Sequence, residues 1–153
     1  MAKSYIPHYQ PAEDKAVELC EGLKTQQEKY NAVTAWLVKC VVYDYVRATK
    51  FRELHGPDVE RCYDLRMGIC LDISALTACM LRAVGIEANV VIGNCTSVYT
   101  SGGHEYRGRT IRHAWNEIFI GKKRIIWDQM IEQKNRNAGG KWSAIYKQSY
   151  VRK

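Results

Sequence analysis

Helical periodicity occupies the first part of this 153-residue chain and β-branched runs the second, an order that predicts an α+β domain. Three observations carry the reading. Apolar residues recur at helical spacing in Val33, Trp36, Leu37, Cys40 and Val41, and again in Ile73, Leu76, Thr77, Met80, Leu81 and Val84. A short β-branched run, Ala88 to Ile92, has the composition of a core strand. Farther on, Arg112 to Ile120 and Lys123 to Asp128 read as two strands joined by Gly121-Lys122, a two-residue turn with Gly in first position.

In chain order, the prolines at 7, 11 and 57 leave helices free to run after Pro11, and Ala12 to Leu23 is the first. Thr25-Gln26-Gln27-Glu28 has the pattern of a capping box and opens the second helix. Val41 to Val46 has strand composition while continuing the helical stripe, so pattern alone leaves its state open. Arg47 to Gly68 is polar and mixed, with Pro57-Asp58 as the start of a short helix. The stripe from Ile73 predicts a buried helix that begins near Cys70 and is stopped by Gly85. Asn94 to Thr110 carries Gly102, Gly103 and Gly108 among Ser, Thr and Tyr, the composition of a flexible surface loop. Beyond Glu132 the expectation is a solvated end; Trp142, Tyr146 and Tyr150, four apart, also fit a short helix docked on the body. One domain is expected over 1–153, with a core at about 25–131 and a basic segment at 133–153.

With 46% hydrophobic and 25% charged residues, the composition is globular and excludes disordered and collagenous classes. No uncharged apolar run approaches the ~20 residues of a membrane helix. The opening MAKSYIPHYQPAEDKAVELC lacks the apolar core of a signal peptide. The net charge of +7 is unevenly placed: no acid follows Glu132, whereas Lys134, Arg136, Lys141, Lys147, Arg152 and Lys153 add six positive charges. That segment offers a contact to a polyanion, while the nearly balanced body is unlike a nucleic-acid protein.

The six cysteines (20, 40, 62, 70, 79 and 95) form no CxxC pair, and Cys40 and Cys79 fall on apolar helix faces where a thiol acts as a small hydrophobe. Reduced thiols in a cytoplasmic setting are expected, with a secreted mature fragment as the alternative. The histidines (8, 55, 104 and 113) show no ligand spacing with any cysteine, so no zinc site is expected.

Cys70 stands where a loop ending in Gly68 meets a helix N-terminus, whose unpaired amides and dipole favour a thiolate and then an oxyanion. The same position suits a small packing side chain, so a partner base decides. If Gly121 and Lys122 form the turn, Trp115 lies opposite Asp128 and His113 opposite Met130. His113 and Asp128 are then diagonal neighbours on one face, roughly 7–8 Å apart at the backbone. A register slip of one residue would send Asp128 to the other face.

Five fragments now resemble the transglutaminase-like superfamily: Arg66-Met67-Gly68-Ile69-Cys70, Met80-Leu81-Arg82-Ala83-Val84-Gly85-Ile86, Val90-Val91-Ile92-Gly93, His113-Ala114-Trp115-Asn116-Glu117 and Ile126-Trp127-Asp128. The capped helix with Trp36, and Tyr43-Asp44 after it, resemble the segment that precedes the nucleophile there. The likeness runs from about Thr25 to Ile131. It implies a papain-related fold, with Cys70 as nucleophile, His113 as general base and acid, and Asp128 orienting the imidazole. Trp115 would shield the His–Asp bond from water, and Tyr63 is a candidate second oxyanion donor. Where many relatives follow the Asp with Thr or Pro, this chain has Gln129-Met130. No acidic cluster offers a calcium cage, and no metal or organic cofactor is implied.

The expected activity is hydrolysis of an amide or peptide bond through an acyl-thioester, with a protein or peptide as substrate. The alternatives are a transglutaminase using an amine acceptor and a non-catalytic polyanion-binding module. Of the remaining candidates, Asp72 is expected to complement the helix dipole, Glu117 to serve the sheet, His104 to face solvent, and Cys95 to be an inert thiol by default, though the first choice for a second reactive one.

Overall fold

The computed structural model describes residues 6–50, 56–137 and 141–153. His55 and part of the polar stretch before Pro57 lie outside them.

Apolar faces of three helices build one side of the core. They are α1 (Gln10–Leu19), α2 (Gln26–Cys40) and α5 (Cys70–Ala83). Thr25 caps α2 by accepting the Glu28 N–H at 3.1 Å, and its hydroxyl donates to Glu28 Oε1 at 2.9 Å. Half of the capping box is therefore made; the Glu side chain meets the hydroxyl instead of the Thr25 N–H. The ambiguous segment after α2 resolves into β1 (Val42–Tyr43) and α3 (Tyr45–Lys50). Asp58 caps α4 (Val59–Leu65) by accepting from the Arg61 N–H. β2 (Met67–Gly68) pairs in parallel with β1, Val42 beside Met67 and Tyr43 beside Gly68. This ladder sets the chain immediately ahead of Cys70. All of Ile73, Leu76, Met80 and Leu81 on α5 are buried, as their periodicity predicts.

The four-stranded sheet is antiparallel, in the order β5-β4-β3-β6. Its strands are β3 (Glu87–Ser101), β4 (His104–Ile120), β5 (Lys123–Trp127) and β6 (Lys141–Arg152). Ala88, Val90, Ile92, Ala114 and Ile118 pack in one core cluster with α5, whereas Val91, Cys95 and Trp115 form a second cluster on the opposite face. Among the described residues, no helix is long and apolar enough to cross a membrane.

Three expectations are corrected. Asn94 to Thr110 is not a loop: β3 and β4 continue through it and turn only at Gly102-Gly103. The segment after Glu132 is not a solvated end, nor a helix at its aromatics: α6 (Gln129–Asn137) is followed by β6, which pairs along β3 from Thr100 to Val90. The first helix spans Gln10–Leu19 and not Ala12 to Leu23.

Candidate functional site

The hairpin register follows from its turn. Gly121 has φ +59°, which glycine adopts without strain, and Ile120 pairs with Lys123 and Asn116 with Trp127. The ladder stops there. Asp128 leaves the strand and its carbonyl accepts the Glu132 N–H at 3.0 Å, so it opens α6; Met130, expected opposite His113, lies on that helix. Asp128 nevertheless reaches His113: Nε2 and Oδ2 are 2.9 Å apart, with both side chains almost wholly buried.

Cys70 is the first residue of α5. It lines a small cleft with Tyr43, Ile73, Ser74, His113, Ala114, Asp128, Gln129 and Met130. Burial opposes the charged form of His113, but hydrogen bonds to Asp128 and Cys70 and their negative charge outweigh it and raise the imidazole from 6.5 to about 10. With Nε2 committed to Asp128, Nδ1 is the ring nitrogen left for Cys70.

The Asp128 carboxylate is held by more than the histidine. Tyr146 Oη, on β6, donates to Oδ2 at 3.0 Å, and the Met130 N–H donates to Oδ1 at 3.2 Å. Burial, then the charge of Asp128, pushes the Tyr146 phenol up, so it stays a donor. The Trp115 ring lies 4.6 Å from that of Tyr146 and 6.3 Å from that of His113, closing this face of the pair. Gly93, paired with His113, makes room for this arrangement. A Cβ there would overlap the Lys147 carbonyl oxygen and come within 2.8 Å of the Trp115 ring.

Tyr43 lines the same cleft as the thiol, and burial followed by the charge of Cys70 raises its hydroxyl. Tyr63 is elsewhere: its ring stacks on Trp36 at 6.0 Å and meets Tyr9 edge-on at 5.8 Å. The loop before α5 is tied by Asp72, which accepts the N–H groups of Asp58 at 2.9 Å and Ile69 at 3.1 Å. Buried in the first turn of α5, it clasps the start of the helix. Glu117 accepts from Asn89 and Arg124 within the sheet, as a structural residue. Gln129 and Gln133, past the Asp, donate to the Val41 carbonyl at 2.6 and 2.9 Å and satisfy the end of α2.

Cys95 is completely buried, and burial pushes its thiol up to about 12. Its sulfur and the donor atoms of His113 and Asp128 lie within 4.8 Å of one another, which sequence spacing did not reveal. A metal fits this trio poorly, because the thiol holds its proton and the carboxylate already accepts three hydrogen bonds. His104 is exposed at the tip of the β3–β4 hairpin. A larger open hollow is lined by Pro7, His8, Gly56, Pro57, Asp58, Val59 and Glu60, none of which belongs to the Cys/His/Asp set.

A thiol at a helix N-terminus, beside a histidine on an antiparallel sheet that is bonded to an Asp just past the neighbouring strand, defines a papain-related α+β class. The chain belongs to the transglutaminase-like superfamily, whose model matches residues 13–145. None of the curated proteins matches it. Its fold is similar to that of the "Putative Cysteine Protease from Cytophaga hutchinsonii", at 17% identity and a TM-score of 0.58, over 97% of this chain and 53% of that one. It is also similar to the periplasmic domain of TgpA from Pseudomonas aeruginosa bound to ethylmercury, at 22% identity and a TM-score of 0.57, over 88% of this chain and 49% of that one. A "putative protease" from Parabacteroides distasonis shares 16% identity at a TM-score of 0.55, over 78% of this chain and 23% of that one. The chain therefore spans about half or less of each of these structures.

Proposed function

We propose that the protein is a cysteine acyl-transfer enzyme that hydrolyses an amide or peptide bond, with Cys70 as nucleophile, His113 as base and acid, and Asp128 as the group that fixes the imidazole. The observation that carries this reading is the buried 2.9 Å bond between His113 and Asp128 in the same cleft as Cys70. His113, which holds its proton in the folded state, pairs through Nδ1 with the Cys70 sulfur as a thiolate, and that thiolate attacks the acyl carbon. The oxyanion that forms receives hydrogen bonds from the Cys70 N–H at the start of α5 and from the Tyr43 hydroxyl. The imidazolium then protonates the leaving amine, and water, activated by the same ring, resolves the acyl-thioester.

The cavity beside Cys70 holds only about 10 Å³, too small to enclose a metabolite, for which sites of ~300–1,000 Å³ are usual. A chain lying across the opening, with only its acyl carbon entering, suits it better. That favours a peptide or protein substrate. Water as the acceptor follows from analogy within the superfamily; an amine acceptor would make the same residues a transglutaminase.

The test is covalent. A peptidyl chloroacetamide should modify Cys70 alone, located by mass spectrometry, and Cys70→Ala should lose both the adduct and turnover of a peptide library. Turnover by Cys70→Ala at the wild-type rate would overturn the assignment.

A further inference from the structure

Helix α5 covers one face of the sheet only as far as Cys70. Ala114 and Ile92 lie beneath it in the core, and two residues farther along the same strands come Arg112 and Asn94 on the same face. Asn94 pairs with Arg112 on one side and with Lys147 on the other. These three form one row across β4, β3 and β6, and all three are exposed. The next row is Thr110, Thr96 and Ile145, in which the two hydroxyls meet at 2.6 Å. A solvent-facing strip of sheet thus begins where the nucleophile's helix ends, one residue from His113.

The charge of this region is one-sided. From Asn94 to Arg112 and from Lys141 to Gln148 the chain carries Arg107, Arg109, Arg112, Lys141 and Lys147 against Glu105 alone. Arg112 is set in place: it donates to Ser149 Oγ at 2.9 Å and lies 6.0 Å from the Tyr150 ring. Ser149 is the extra residue of the bulge between Ile92 and Gly93, which turns Tyr150 to the face opposite Tyr146. An aromatic and two cations therefore stand together at the edge of the cleft.

We propose that the row Arg112–Asn94–Lys147 is a substrate subsite that recognises acidic side chains flanking the acyl group delivered to Cys70. The inference rests on the reading of Cys70 as nucleophile and adds the substrate's charge to it. An extended peptide crossing the cleft lies over this strip, and carboxylates placed a few residues from the acyl carbon meet Arg112 and Lys147. The occupant is an acidic peptide and not a nucleic acid because the strip is short and adjoins a carbonyl-directed nucleophile; the basic residues do not form a track around the body.

The experiment compares second-order rates of Cys70 modification by two chloroacetamides, one carrying a Glu-Glu-Glu tripeptide and one Gln-Gln-Gln, with iodoacetamide as the uncharged control. In the wild type the acidic reagent should react about tenfold faster than the neutral one at low salt, and the ratio should shrink as salt rises. Arg112→Gln with Lys147→Gln should bring the ratio to about one, and Lys147→Glu should carry it below one. A wild-type ratio near one, or a ratio unmoved by these substitutions, overturns the subsite. If a DNA single strand binds Cys70→Ala while the two tripeptide reagents react alike, the strip is a nucleic-acid contact and the proposal also fails. Iodoacetamide separates the two levels: if it does not select Cys70, the nucleophile reading has failed, whereas selective labelling without a charge preference rejects the subsite alone.

Discussion

Tyr146 and His113 donate to the same oxygen: Oδ2 of Asp128 accepts the phenol at 3.0 Å and the imidazole at 2.9 Å. The carboxylate is thereby pinned from both sides, one donor on β4 and one on β6, and the orientation of the imidazole depends on a strand at the far edge of the sheet.

Tyr146→Phe should keep the fold and lose that second donor. We expect kcat to fall about five- to tenfold with little change in KM, and stability to fall by about 1 kcal/mol. Steady-state kinetics on a peptide substrate, alongside urea unfolding, reads both. A rise in KM with kcat unchanged would mean that Tyr146 touches substrate instead.

Asp128→Asn should be more severe. The amide can present its donor to the ring and favour the wrong tautomer, a change that costs about 10⁴-fold in a serine protease. Because a thiol is partly self-activating, the loss here should be smaller, on the order of 10²–10³-fold. Cys70 should still react with iodoacetamide. Near-normal turnover would assign the orienting role to another group.

Among the thiols, iodoacetamide at pH 6 should label Cys70 first. Cys62 and Cys95 are buried and pushed up to about 12, and Cys79 to about 11, in each case chiefly by burial. Peptide mapping that finds Cys95 labelled as early as Cys70 would contradict this order.

The His113 shift makes stability depend on pH, with a definite sign. The folded state holds its proton up to about 10, while the unfolded chain releases it near 6.5. The stabilisation is full below 6.5 and is lost as pH rises toward about 10, at no more than about 1.4 kcal/mol per pH unit. Denaturant unfolding from pH 6 to 10 should show this slope, and His113→Gln should flatten it.

Gly93→Ala should destabilise the fold by about 1–3 kcal/mol, since the new methyl overlaps the Lys147 carbonyl and presses on Trp115. Thermal unfolding measures the loss; an unchanged Tm would mean that β6 can move away from β3 at this point without cost.

What could be read in advance had a local cause. The Gly121-Lys122 turn fixes a register by itself, so the approach of His113 and Asp128 followed from counting, even though Asp128 proved to be the start of α6 rather than the end of a strand. Thr25 and Gly85 bound their helices for equally local reasons. The β3–β4 arm was hidden because residues 104–112 are exposed on both faces, which removes the alternation that marks a half-buried strand. The aromatics at 142 and 146 misled because a spacing of four keeps residues on one face of a strand as well as of a helix. Tyr146 at the site was out of reach for the same reason: its approach to Asp128 arises from pairing between distant strands. Tyr43 had a signal, its place in Tyr43-Asp44 ahead of the nucleophile, whereas Tyr63 drew attention only by being nearer in sequence.

The placement of β6 also sets a schedule. Whatever lies beyond Lys153, this strand leaves the ribosome after α5 and after the other three strands of the sheet, and a domain folds as a unit. Until β6 emerges, one edge of β3 has no partner and Asp128 lacks its phenol donor. Its arrival seals the open edge of β3 against pairing with another chain.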